Sequence, residues 1–316
     1  MNRPWLHLSF ITAALAVLPA RAADPHGEIP GNPANLEQLA TGEIRVEANT
    51  SMRLPRGISS RASVFIPAPL EKVRELLPTW NPQPHAELDV RQFHGFAANG
   101  DPHFENLRFD ARSAPVRRLL DAMKERDGLQ LTKAEIAQFP ATITAESAQA
   151  FWAGILRSRW QAFAATGLQP QPGQFDARSE FRTLLAEEPK VAAHFAALLA
   201  TTPLALDAPG TPFRCYWTQK TINGVDGLSI GAIYRHESQF ADFEFYVSSG
   251  YYVALTLHEL RAVEAGGKSG TLVWQKNFAS SPLLTGGFGL KRKLAAMAIE
   301  SEARRSLRAF QKDASR

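Results

Sequence analysis

Gly227-Leu228-Ser229-Ile230-Gly231 matches G-x-S-x-G, the pattern of a hydrolase nucleophile elbow. The elbow works because a sharp turn between a strand and a following helix exposes the serine hydroxyl. Here the turn pairs Asn223-Gly224 and Asp226-Gly227 come before the serine, and Ala232-Ile233-Tyr234 continues as β-prone chain. That context predicts a serine inside a hairpin strand. Asp242 and His258 supply a later acid and base, but almost any chain does. His85, His94 and His103 recur every nine residues. Nine is odd, so along one strand they alternate faces. The Asn99-Gly100 turn could bring His94 and His103 together, yet no HExxH is present and Cys215 is the one cysteine. These patterns predict no catalytic triad, no metal site and no cofactor.

The later segments mix aromatic and polar residues. With a period of two, Cys215, Trp217 and Gln219 share one strand face; so do Tyr234 and His236, Glu244 and Tyr246, and Tyr252 and His258. Trp274 lies opposite Val273. An apolar pocket with a few polar groups is how small-molecule sites are built. The candidate ligand-binding residues are therefore Trp217, Tyr234, His236, Glu244, Tyr246, Tyr252 and Trp274. Within such a pocket His236 or Glu244 could act as acid or base. The alternative is that half of them face solvent and the rest are core. Arg157 and Arg159 stand near Trp152 and Trp160, where a stacked guanidinium could bind an anion; a solvated helix face is the competing expectation.

The elements that must position these residues follow from periodicity. Glu43–Ala48 and Arg61–Pro67 read as strands, and Leu70, Val73, Leu76 and Leu77 as a short helix opened by Pro69. Leu88–Phe96 and His103–Phe109 read as a strand pair across an Asn-Gly turn. About ninety helical residues follow. Val116, Leu119, Leu120 and Met123 form a stripe; Thr132–Glu135 fits a capping box; Thr144 caps a long helix that Gly167 ends. Two shorter helices span Ser179–Glu188 and Lys190–Ala200. Phe213–Thr221, Leu228–His236, Ala241–Ser248, Tyr251–His258 and Ser269–Phe278 then form an antiparallel meander, and a helix from about Leu290 to Gln311 ends the chain. Antiparallel strands with segregated helices give an α+β class.

Residues 1–22 read as a secretory signal. Arg3 precedes the apolar run Leu6–Leu18, and Ala20-Arg21-Ala22 is a cleavage site. The run is too short for a bilayer, which needs about 20 residues. The expected location is periplasmic or secreted. Residues 23–42 read as a flexible lead-in, with Pro and Gly at its start. The chain is 45% hydrophobic and 21% charged, which excludes wholesale disorder and a polytopic membrane protein. Its net charge of +4 is unevenly placed: Leu290–Arg316 carries eight basic residues against Glu300, Glu302 and Asp313. Arg304, Arg305 and Arg308 suit a helix C-terminus. Lys291, Arg292 and Lys293 do not, and are the candidate contact with an anionic membrane surface. No nucleic-acid motif is present.

Ser63–Leu77 (SVFIPAPLEKVRELL) resembles the opening strand and helix of the START-like, or helix-grip, superfamily, and Gly270–Phe278 with the helix from Leu290 resembles its closing elements. The resemblance covers roughly 60–110 and 213–316, so residues 111–212 would be a helical insertion in a domain spanning 43–316. It implies a curved antiparallel sheet gripping the C-terminal helix, with an apolar cavity between them for a lipid or other hydrophobic molecule. Some members catalyse cyclisations, so an enzyme on the same scaffold, using His236, Glu244 or Ser229, is the alternative; an envelope interaction protein is the third. Ala295, Ala296, Ala298, Ser301 and Ala303 on the final helix would leave volume for a ligand, or simply pack tightly.

Overall fold

The structure is a computed structural model that describes residues 33–49, 51–168, 175–205, 210–222, 224–285 and 289–316. The signal reading at 1–22 lies outside the described residues. The first described element is α1 (Pro33–Ala40), which gives the end of the expected flexible lead-in a packed helix. Its Leu39 is fully buried against Phe65, Ala265 and Leu272.

Next come β1 (Ile44–Asn49), β2 (Gly57–Ile66), α2 (Leu70–Leu76) and β3 (Val90–Phe96). The helical block is α3 (Ala114–Glu125), α4 (Lys133–Ile136), α5 (Ala145–Thr166), α6 (Ala177–Ala186), α7 (Pro189–His194) and α8 (Ala196–Leu199). The meander is β4 (Arg214–Ile222), β5 (Val225–His236), β6 (Gln239–Val247), β7 (Val253–Ala265) and β8 (Lys268–Ser280), and α9 (Leu290–Ala314) closes the chain. All eight strands form one antiparallel sheet in the order β1-β2-β8-β7-β6-β5-β4-β3. The class is α+β, with a long C-terminal helix on one sheet face.

Local signals set the helices. Thr132 and Glu135 exchange side-chain and backbone bonds in a capping box on α4, and Thr144 pairs with Ser147 in the same way on α5. Val116, Leu119, Leu120 and Met123 all point inward from α3. Two expectations fail. Lys190–Ala200 is not one helix, because the chain breaks at Phe195, whose fully buried ring stacks on Trp274. His103–Phe109 is not a strand. His103 takes a left-handed φ of 49°, and a single 3-10 turn at Phe104–Asn106 drops Phe104 and Leu107 into the core. β3 pairs with β4 instead.

The two sheet faces carry different layers. One face bears Trp217, Ile230, Phe243, Leu255, Leu257, Trp274 and Phe278, which share a single core with Leu119, Met123, Trp152, Phe181, Leu184, Phe195 and Leu198 of the helical block. Buried charges pin the layers. Arg56 meets Glu180 through two hydrogen bonds of 2.7 and 2.6 Å, and Lys276 reaches Glu188.

The other face receives α9. Ala303, Leu307, Phe310 and Ala314 pack on Ile44, Ala62, Val64 and Ile66, and Ala296 packs near Ile58. The helix is thus seated over β1 and β2, at one sheet edge. The opposite edge returns to it. The chain entering β3 places the Glu87 carbonyl 2.6 Å from Arg305, and Trp80 and His85 both bond Asp313. A sheet whose first and last edges meet the same helix must bend around it.

Candidate functional site

Strand register places the chemistry. On the α9 face, Ile58, Ala279, Ala254, Glu244, Gly231 and Tyr216 stand side by side, one per strand. The next row is Ser60, Asn277, Thr256, Asp242, Ile233 and Arg214. The third holds Ala62, Gln275, His258 and Phe240. A helix about 10 Å across covers about two strands at ~4.8 Å spacing. With α9 over β1 and β2, the polar middle of these rows is left beside it, and Ala254, Thr256, Asp242 and Glu244 are only partly buried.

Two coupled groups form the centre. Lys220 Nζ lies 3.0 and 3.2 Å from the two oxygens of Glu244 and 5.2 Å above the Tyr251 ring. Ser229 donates to the same carboxylate at 3.0 Å, and the Tyr251 hydroxyl donates to its other oxygen. Beside this pair the Tyr216 hydroxyl donates to Asp242 at 2.7 Å. Gly231 is required here: a Cβ would come within 2.3 Å of the Tyr216 ring, which lies across it.

Burial disfavours both charges of the pair, yet each keeps its charge because of the other. Lys220 is pushed well above its ordinary range by Glu244, Tyr251 and Glu302, and Glu244 is held low by Lys220 and three hydrogen bonds. Asp242 goes the other way. Burial and the neighbouring Glu244 raise it to about 7 against the help of Tyr216 and Lys220. Tyr216 and Tyr251 are pushed up by burial and stay protonated. Burial takes His258 down to about 4, so it is neutral at neutral pH, with Nδ1 unpartnered among the described residues. The result is a neutral ion pair, a carboxyl that exchanges its proton near neutrality, two phenol donors and a neutral imidazole on one face.

One flank of α9 runs toward this cluster. Ala295, Ala298 and Glu302 follow each other at helical spacing, and Glu302 is close enough to act on Lys220. The small residues thus split in role. Ala296 and Ala303 are buried and seat the helix; Ala295 is half-buried against the Ile58 cluster, and Ala298 is exposed.

The expected site residues do not form one constellation. Trp217, Tyr234 and Trp274 are core on the helical-block face. His236 ends β5, opposite Gln239. Glu244 and Tyr246 part company: a bulge opposes Ile230 to Tyr246 but Gly231 to Glu244, so Phe245 is the extra residue and Tyr246 turns to the block face. Tyr252 precedes β7 and stacks on Phe175 of the block, whereas His258 lies on the α9 face. Tyr246 and Tyr252 do share a cavity of about 260 Å³, on the block side of the sheet. Lys220, Tyr216 and Tyr251 were not among the candidates, and Asp242 was weighed only as an acid for Ser229. The signal for Lys220 was available, since it continues the Tyr216, Thr218 parity of a strand whose other face begins with Cys215 and Trp217.

Ser229 sits within β5, fully buried, and its hydroxyl partners are Thr218 and Glu244, as a hairpin strand requires. His94 and His103 come together with ring centroids 5.5 Å apart, while His85 is held at Asp313. Asp101, His103 and Glu105 form an exposed group with the spacing of metal ligands. Cys215 is buried, with its thiol pushed up to about 12 by burial. Of the basic trio on α9, Arg292 donates to the carbonyls of Leu54 and Gly57, and Lys291 and Lys293 are exposed.

No family model matches the chain, and no curated protein sequence matches it. Among solved structures, a START superfamily protein from Mycobacterium smegmatis is similar at 19% identity, over 34% of this chain and 70% of that one, with a TM-score of 0.26. The antiparallel sheet and the C-terminal helix packed on it stand on this chain's own register and contacts.

Proposed function

We propose that the protein binds a hydrophobic small molecule with a polar end, a lipid being the leading class, between the sheet and α9. The observation that carries this reading is the partly open polar cluster in mid-sheet, Lys220, Glu244, Asp242, Tyr216 and Tyr251, with Ala295 of α9 packed at the Ile58 end of the same row. Sites for such molecules pair an apolar wall with a few fixed polar groups. Protein purified from its host is expected to release an apolar compound into organic solvent, identified by mass spectrometry. Ala295→Trp, which puts bulk on the sheet-facing flank of α9, is expected to emerge empty. Equal loading of the two proteins, or none in either, overturns the proposal.

The same reading has the chain exported under its first 22 residues. N-terminal sequencing of protein recovered outside the cytoplasm is then expected to begin at Ala23. Contact with an anionic membrane is also part of the proposal. Leu290, Leu294 and Met297 recur on one outward stripe and are 70%, 57% and 65% exposed, with Lys291 and Lys293 beside them. Co-sedimentation with vesicles containing phosphatidylglycerol should fall when Leu294 and Met297 are changed to Ser.

An enzyme on this scaffold is the second reading, favoured by the Asp242 carboxyl at about 7. Its mark would be turnover of the extracted compound by the wild type and not by Asp242→Asn.

A further inference from the structure

The cavity on the block side of the sheet holds an unused charge. Arg159, on α5, is 8% exposed. One of its amino groups, Nη2, donates to Glu135 at 2.8 Å, and the guanidinium lies 5.0 Å from the centre of the Tyr246 ring. Its Nε and the whole of Nη1 are buried without a hydrogen-bond partner among the described residues. Arg157, two residues away, is exposed. The sequence allowed a solvated helix face here; for Arg159 the structure shows the reverse.

A guanidinium cannot shed its proton, and buried donors left unmade are costly. Arg159 lines a cavity of about 260 Å³ whose other walls include Phe163, Phe245, Leu131 and Tyr252. Two stacked pairs form those walls: Phe163 on Phe245 at 4.1 Å and Phe175 on Tyr252 at 4.4 Å. Glu135 already balances the charge of Arg159, so no positive charge is spare for a multiply charged anion; what is left unmet is a hydrogen-bond acceptor for Nε and Nη1, which one carboxylate supplies. The aromatic walls call for an apolar body. At 260 Å³ the space falls just under the ~300–1,000 Å³ of drug-sized pockets, so the molecule is small.

We propose that this cavity is a second binding site, separate from the α9 side, for a small hydrophobic monocarboxylate. Its carboxylate accepts from the free Arg159 donors and its body lies between the stacked aromatic pairs. No reaction is implied.

Phenylacetate and hexanoate are the probes, with phenylacetamide as the uncharged control, titrated into the full-length mature protein by calorimetry and NMR. Saturable binding of at least one acid is expected, with phenylacetamide weaker by about tenfold or more. Arg159→Lys, which keeps the charge and loses the planar fork, is expected to weaken the acid by a similar factor. Should that variant fail to fold, Ala162→Phe carries the test, since it fills the cavity from α5 without touching the charge. It should abolish binding. The proposal is overturned if neither acid saturates at about 10 mM, if acid and amide bind alike, or if Ala162→Phe binds as the wild type does.

Discussion

Single side chains on the α9 face set how the protein responds to pH. Asp242 sits at about 7 when folded, above its ordinary 3.8. The folded chain therefore keeps a proton that the unfolded chain has released, so the stability tied to this group is full below about 3.8 and is lost as pH rises through about 7. His258 has the opposite sign. At about 4 when folded against 6.5 unfolded, its contribution is present above 6.5 and is lost as pH falls through about 4. The two oppose each other across the weakly acidic range, so the wild type should show a flat profile there. Asp242→Asn keeps an acceptor for Tyr216 and removes one of the two. Its stability relative to wild type should rise by about 1–3 kcal/mol from about pH 5 to about pH 8, read by urea denaturation. A pH-independent difference would contradict the burial of that carboxyl. Lys220 gives a second expectation. Lys220→Met strands Glu244 at a largely buried site and should cost about 3 kcal/mol, while Lys220→Met with Glu244→Leu should recover much of it.

Strands and helices show where the sequence was readable. Period two and the turn residues located every strand of the meander, and the four-residue stripe Val116, Leu119, Leu120, Met123 located α3, because local backbone geometry alone decides those patterns. The same period misassigned Tyr246, since a bulge is settled by how β5 and β6 pair and leaves no mark in either strand alone. It also misassigned His103–Phe109, where two apolar residues three apart serve a core made by distant helices. The site suffered more than the fold. Choosing between the two faces of a strand requires knowing which layer lies on each, and nothing local says that the block covers Trp217 while α9 overlooks Lys220. The seat of α9 is itself testable. Ala303 is 6% exposed and packs with Val64 and Leu307, so Ala303→Leu forces the helix off β2. It should cost about 1–3 kcal/mol in thermal denaturation, whereas Ala298→Leu, at an exposed position of the same helix, should cost far less.

At the scale of the molecule, the helical block is half of the core and not an ornament on it. Residues 111–212 supply Met123, Trp152, Phe181, Leu184 and Phe195 to the cluster that also contains Phe243, Leu255, Trp274 and Phe278. Removing the block would bare the apolar face that β3 to β8 turn to it, far more contiguous apolar surface than the few hundred Å² a soluble protein ordinarily shows. A chain lacking 111–212 should therefore be insoluble, so the boundary between block and sheet is tested by point changes. Arg56→Met is the informative one. Glu180, on α6, is 3% exposed, and its carboxylate is held from the sheet side of the layer boundary by Arg56, just before β2, and by Ser280 of β8. Leaving that charge buried without its guanidinium should cost about 3–5 kcal/mol. Because sheet and block share one core, the loss should lower a single cooperative transition seen alike by far-ultraviolet dichroism, which follows the helices, and by tryptophan fluorescence, which follows Trp217 and Trp274 among others. Two separated transitions, with only the helical signal displaced, would mean that the block folds on its own and the layers are joined more weakly than their packing implies.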